Sequence, residues 1–372
     1  MLILAKTLNR YFGILIGKLV ANLQIVKISK KKPYIPIGSK LAGYLKKYSR
    51  ESDMPISYGD LGGYNETYPL LDKNGNNTLW DSLLYRESDF NNIDEQLTKL
   101  YSLLKTDGDT EVVKHLKTER IDFCHFANSQ PYRIKIVNML NDNYDYMYIK
   151  KADASRVYGL ELEHLLSPNF ISYIVKGTSL VEEHIAGIPG DVFYAEYIHS
   201  KNFNKVRFAK EFIKFNERCF VRLLGDMRAY NYVIDITPDF EDEQYRIKAI
   251  DFDQQSYEGK KNVYRPQFFK ENNPIVKMGM EFMTVETTRQ YQLEERTLMA
   301  RRYNMNKKRL NDLLDCMKSQ KLSSDVKFNT LINELNSYNK TDKFSNCKSM
   351  GEILELNIKT MLGDQLQHFD IL

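Results

Sequence analysis

Cysteine is scarce in this chain: four in 372 residues, at positions 124, 219, 316 and 347, with no C-x-x-C pair. Thiols so widely spaced argue against a disulfide framework or a structural zinc site and fit a reducing cytoplasm. The six histidines show no metal-ligand spacing either. A dominant charge is also missing. Lys and Arg number 53 against 49 Asp and Glu, a net +4 with the signs interspersed, which is not the basic footprint of a nucleic-acid-binding protein. Lys27 to Lys32 (KISKKK) is the one basic cluster and reads as a solvated loop. No apolar run approaches the ~20 residues of a membrane span. The N-terminal stretch MLILAKTLNRYFGILIGKLVANLQIV is interrupted by Lys6, Arg10 and Lys18, and it lacks the leading basic residues and cleavage site of a signal peptide. An amphipathic helix packed on the body of the protein is expected there, with membrane-surface binding as the other use of such a pattern.

What is present is ordinary globular material. Apolar residues make up 42% and charged residues 27%, so the chain can bury a core and form two or three compact units. No internal repeat is visible. Residues 1–115 read as an N-terminal helical accessory region. It holds a loop-rich stretch from Pro33 to Gly75 with scattered tyrosines, then a helix that starts at Asn92-x-x-Glu95, a capping-box pattern. Asp72 to Asn77 is expected to be a simple turn, since no Glu closes it as a calcium loop.

The periodicity changes near residue 118. Arg133 to Val137 and Asp145 to Lys151 alternate as strands around a turn at Asn141–Asn143. Asp153 caps a helix through Leu166, with Val157, Leu160, Glu161, His164 and Leu165 on one stripe. An inward Glu161 wants a cation, with Glu163, whose neighbours on the helix are less apolar, as the alternative carboxylate. Strand alternation puts Met147, Ile149 and Lys151 on one face and Tyr146, Tyr148 and Lys150 on the other, so either lysine can supply that cation; if the Met and Ile face looks into a cleft, it is Lys151. Ser172 to Val181 reads as a hairpin, followed by acids and a Gly/Pro-rich turn, with Asp191 capping the next helix. Asn204 to Leu224 is a long amphipathic helix that leaves at Gly225. Beyond Pro274 the chain is mostly helical.

The densest chemistry comes after that long helix. Leu223 to Asp235 (LLGDMRAYNYVID) and Ala249 to Asp253 (AIDFD) flank an acidic turn and read as a β-hairpin. Its strands bring Asp226, Arg228, Asn231 and Asp251 to one end. In the spacing D-x-x-x-x-N a carboxylate can face an attacking hydroxyl while the amide holds a divalent metal, and a second carboxylate completes an oxygen-rich Mg2+ site.

G-D-x-x-x-x-N followed by I-D-F resembles the catalytic loop and metal motif of the protein-kinase-like superfamily. The style is that of its atypical branches, the aminoglycoside and choline phosphotransferases and the phosphoinositide kinases. Protein kinases write H-R-D-x-x-x-x-N and D-F-G; this chain has Leu-Gly-Asp and Asp-Phe-Asp. The likeness spans about residues 120–300. It implies an α+β, bilobal kinase-like fold: a small antiparallel sheet lobe over residues 116–185 and a mainly helical lobe over residues 186–372. It also implies an ATP- and Mg2+-dependent phosphotransferase. Asp226 would be the catalytic base and Arg228 would meet the transferred phosphate. Asn231 and Asp251 would hold the metal. Lys151 or Lys150, braced by Glu161, would hold the nucleotide phosphates. Ser129, in the glycine-free loop FANSQP from Phe126 to Pro131, stands where the family has its Gly-rich loop. The segment from Glu182 to Asp191 corresponds to the adenine-binding hinge. The hydroxyl acceptor is a small molecule, a lipid head group or a protein. Two other functions fit the same residues: a kinase-like scaffold or nucleotidyl-transferring relative that binds nucleotide, and a helical interaction protein whose acids are surface groups.

Overall fold

The computed structural model describes residues 32–106, 113–200, 203–240 and 242–367. Contacts divide the chain after Tyr34, and the described strands and helices all belong to the unit that begins at Ile35. The expected N-terminal amphipathic helix and most of the Lys27–Lys32 cluster lie outside the described residues.

The unit is α+β. A seven-stranded antiparallel sheet is built from β1 (Glu66–Leu71), β2 (Asn77–Leu84), β3 (Leu116–Phe123), β4 (Tyr132–Asn138), β5 (Tyr144–Lys151), β6 (Tyr173–Lys176) and β7 (Ser179–Glu183), in the order β1-β2-β3-β4-β5-β7-β6. One face of it carries Ile121, Ile134, Ile136, Met147, Ile149 and Val181. Those residues pack with Ile93, Leu97, Leu100 and Leu104 of a helix from Glu87 to Thr106. Each such aliphatic chain contributes about 1.5–3 kcal/mol on full burial. A shorter helix, α1 (Ser39–Lys47), precedes the sheet, and the Glu87–Thr106 helix is α2.

This corrects the reading of residues 1–115 as helical. The β1–β2 hairpin extends the sheet through Asp81↔Phe123 and Ser82↔Asp122. Its first strand is almost wholly exposed and holds Pro69, so it lacks the alternation that marks a half-buried strand. The turn joining the two strands is organised by Asp72, whose carboxylate accepts from the Asn74 and Asn76 backbone N–H groups. Helix α2 also begins five residues ahead of Asn92.

The second core is mainly helical and takes in the hairpin of residues 232–249. α3 (Ala154–Leu166) is capped by the Asp153 carboxylate, as expected, through the Ser155 and Arg156 N–H groups. A two-residue strand, β8 (Ile188–Pro189), leads into α4 (Gly190–Glu196), which Pro189 rather than Asp191 precedes. The long helix α5 (Lys205–Arg222) is capped by Asn204 and ends on Leu223 in the left-handed conformation, two residues before the expected exit at Gly225. β9 (Tyr232–Pro238) and β10 (Glu243–Ala249) form the predicted hairpin, and β8 adds to it through Ile188↔Ile234. The rest is helical: α6 (Asn273–Phe282), α7 (Val285–Met305), α8 (Lys307–Lys318), α9 (Asp325–Asn339) and α10 (Met350–Gln367). Among the described residues no helix is long and apolar enough to cross a membrane.

Two close approaches fix where these elements meet. A Cβ on Gly159 would lie 2.8 Å from the Phe252 Cβ, so α3 can rest on the Asp-Phe-Asp turn only because position 159 has no side chain. A Cβ on Gly190 would lie 2.5 Å from the Ala229 carbonyl, which brings the start of α4 onto the loop that carries Asp226 and Asn231.

Candidate active site

The loop after α5 is tightly tied. The Gly225 N–H donates to the Gln254 carbonyl, the Asp226 N–H to the Val263 carbonyl, and the Asn231 N–H to the Arg228 carbonyl. The Asn231 side-chain amide donates to the Asp226 carbonyl at 2.7 Å, so its Oδ1 is left to act as a ligand. Asp226 has a φ of +59°. A left-handed non-glycine residue stores about 1–3 kcal/mol of strain and is retained where the surroundings over-determine it. Burial pushes the Asp226 carboxyl up from its ordinary value, against the pull of Arg228. The Arg228 guanidinium donates to Asp226 Oδ1 at 2.8 Å and to Glu271 at 2.9 Å.

The hairpin delivers Asp251 beside this loop, since the Ile250 N–H donates to the Asn231 carbonyl. Asp251 Oδ1 accepts from the Asp253 backbone N–H and from Arg156 Nη1, both at 3.0 Å. The same Nη1 donates to Asp253 Oδ1 at 3.0 Å. Arg156 is only 2% exposed. Its other nitrogens meet Glu182 on β7, Nη2 at 2.7 Å and Nε as a further donor. Lys150 Nζ completes the cluster, 2.7 Å from Glu182 Oε2. The partial burial of Asp251 raises its carboxyl to about 6, with repulsion from Asp253 adding to it. Burial also acts on Glu182, but Arg156 and Lys150 outweigh it and hold that carboxyl at about 2. Lys150 is lowered by burial and by Arg156, with Glu182 opposing.

One open choice is decided here and one expectation is overturned. The inward lysine is Lys150, not Lys151. The face with Met147 and Ile149 is covered by α2 instead of lining a cleft, and Lys150 with Tyr148 looks the other way. Lys151 ends the strand exposed, with its Nζ on the Gln130 amide oxygen. Glu161 does not brace either lysine. It accepts from Arg50 and Arg309, and from the Tyr44 and Tyr173 hydroxyls. The inference from an inward Glu fails because α3 is buried on nearly every face, so inward does not mean toward the sheet. Ser129 is buried in the β3–β4 loop, where its carbonyl accepts from the Lys151 N–H at 3.4 Å. The loop therefore lies against the end of β5, on the Lys151 side.

Arg156 and Glu182 are the members that sequence reasoning missed. The sequence places Glu182 only within a hinge segment. Arg156 lies in the first turn of α3 on the same side as Gly159, one turn away. A charged residue spaced three places from a helical glycine was the available signal, because the glycine marks the surface of closest approach.

Among the described residues no group of three or more His, Cys, Asp or Glu side chains is disposed as a metal site. Asp251, Asp253 and Asn231 are two carboxylates and an amide, a hard oxygen set suited to Mg2+. A guanidinium nitrogen already stands as a cation on both carboxylates, so the charge and donor chemistry of these residues would suit a divalent ion. The chain matches no protein-family model and no curated protein.

Proposed function

We propose that the protein is an ATP- and Mg2+-dependent phosphotransferase of atypical kinase-like type, with a bilobal arrangement of sheet and helical parts, that moves the γ-phosphate to a hydroxyl acceptor. One observation carries this reading: Lys150 at the end of a sheet strand and Asp251 at the end of the hairpin meet in one buried ion network, beside a strained G-D-x-x-x-x-N loop. Asn231 and Asp251, with Asp253, would hold the metal, and Lys150 the nucleotide phosphates. Mg2+ supplies neutralisation of phosphate charge when bound. Asp226 takes the acceptor proton as the acceptor oxygen bonds to the γ-phosphorus and the bond to the bridging oxygen of ADP breaks. Its raised affinity for a proton suits that task. The acceptor is a small molecule, a lipid head group or a protein.

A second reading is a nucleotide-binding protein without transfer. It is favoured by one contact: Arg228, the residue assigned to the transferred phosphate, is held by Asp226 and Glu271. Transfer of labelled γ-phosphate, to water, to the chain itself or to a panel of hydroxyl acceptors, separates the two. Activity that falls about 10²–10⁴-fold in Asp226→Ala supports an Asp226 base. Nucleotide binding without any transfer favours the scaffold, and binding of no nucleotide removes both readings in favour of an interaction protein.

A further inference from the structure

Among the described residues, Arg156 alone touches both halves of the network. Its Nε and Nη2 lie on Glu182, while Nη1 lies on Asp251 and Asp253. Nη2 also donates to the Ile250 carbonyl at 3.1 Å. Glu182 is contacted by both cations of the cluster, Lys150 and Arg156. The two aspartates share a single nitrogen. Positive charge is thus doubled at Glu182 and short at the aspartates. The side chain of Asp251 is 32% exposed, so the shortage lies on the side that solvent and ions can reach. Helix α3 is held by the close approach of Gly159 to Phe252, so an exchange of partners at this site falls to the Arg156 side chain rather than to the helix. Its fork on Glu182 is a ready pivot.

We propose that Arg156 is the positioning residue of this site: its Nη1 competes with a divalent cation for Asp251 and Asp253, and a cation there leaves the guanidinium to Glu182 alone, which frees Lys150 for the phosphates. The proposal rests on the phosphotransferase reading. It makes metal and nucleotide binding cooperative, because each favours the same position of one guanidinium, and the coupling is reciprocal.

The test measures two affinities in the full chain: Mn2+ alone, from the loss of its free-ion EPR signal, and ATP with Mn2+, by calorimetry. In Arg156→Gln the competing cation is gone and Lys150 stays on Glu182. Mn2+ alone then binds on the order of tenfold more tightly, since a unit charge is removed next to its ligands, while ATP binds more weakly. A merely structural role moves both affinities the same way. If Arg156→Gln does not fold, Arg156→Lys keeps the charge but cannot reach both carboxylate groups, and it shows the same opposite signs with smaller size. Unchanged or weaker Mn2+ binding in Arg156→Lys, with wild type binding Mn2+ and ATP normally, overturns the role of Arg156 and leaves the phosphotransferase reading standing. Wild type that binds neither ligand overturns both.

Discussion

Helix α3 has a buried ion network on each side, and the two differ in one respect. On one side a single carboxylate, Glu161, is served by Arg50 at 2.8 Å, Arg309 at 2.7 Å and two tyrosine hydroxyls at 2.5 Å. On the other, two aspartates share one guanidinium nitrogen. The consequences are opposite. Burial would raise Glu161, but the two arginines prevail and hold it below its ordinary value. Asp251 rises to about 6. A buried acid is therefore not in itself a mark of function. A saturated one knits α1, α3, α8 and β6 together, whereas the pair short of a cation is where the proposed site would take one.

Mutation of the two sides should separate these roles. The largest effect is on chemistry. Asp251→Ala is expected to abolish metal-dependent nucleotide binding and to reduce transfer by at least about 10²-fold, the order seen when a key electrostatic group is removed. Its unfolding free energy, read from urea melts, should fall little or rise, because a strained charge is relieved. Glu161→Ala does the reverse. It leaves two guanidinium groups without their carboxylate and should cost roughly 3–5 kcal/mol in the same melts, while ATP affinity per folded molecule is kept. A protein that loses nucleotide binding but not stability in Glu161→Ala would break the contrast.

Acid titration sharpens it. Glu161, and Glu163 beside Arg222, have carboxyl groups held below 4.5 in the fold despite burial. Their stabilisation is present above that ordinary value and is lost as pH falls through the lowered folded one. Unfolding free energy should therefore drop on acidification below about 4.5, and Glu161→Gln should drop less steeply. Equal slopes would show that Glu161 is not preferentially ionised in the fold.

Smaller effects come from geometry. Gly159→Ala places a Cβ 2.8 Å from Phe252, and overpacking of this kind costs about 1–3 kcal/mol. Measured against the gain of about 1 kcal/mol that Ala brings to an exposed helix position, a net loss confirms the close approach, and a net gain contradicts it. The smallest contrast is between the two lysines. Lys151→Ala should change stability by less than about 0.5 kcal/mol and leave ATP binding intact, whereas Lys150→Ala should weaken ATP binding clearly. Calorimetry of the two variants side by side checks this.

Much of this was legible in the order of the residues. The hairpin carrying Asn231 and Asp251, the Asp153 and Asn204 caps, and the C-terminal helices follow from alternation, capping chemistry and helical spacing. What escaped has a common cause. Periodicity says which residues are buried, not against what. Lys150 and Lys151 could be ranked only by knowing which sheet face α2 covers, and α2 comes from a region read as separate. The partners of Glu161 are not legible in local sequence because its cations, Arg50 and Arg309, are far off in the chain. Arg156 was invisible for the same reason: its carboxylates come from β7 and from the turn after β10.

The most direct measurement is the thermal unfolding of wild type and Asp251→Ala with millimolar ATP, with and without Mg2+. Ligand at a hundred times its dissociation constant stabilises by about 2.7 kcal/mol, a rise of several degrees in a chain of this size. A rise that needs Mg2+ in the wild type and vanishes in Asp251→Ala is the predicted result. No rise in the wild type, or the same rise in the variant, would contradict the assignment of this cluster as a metal and nucleotide site.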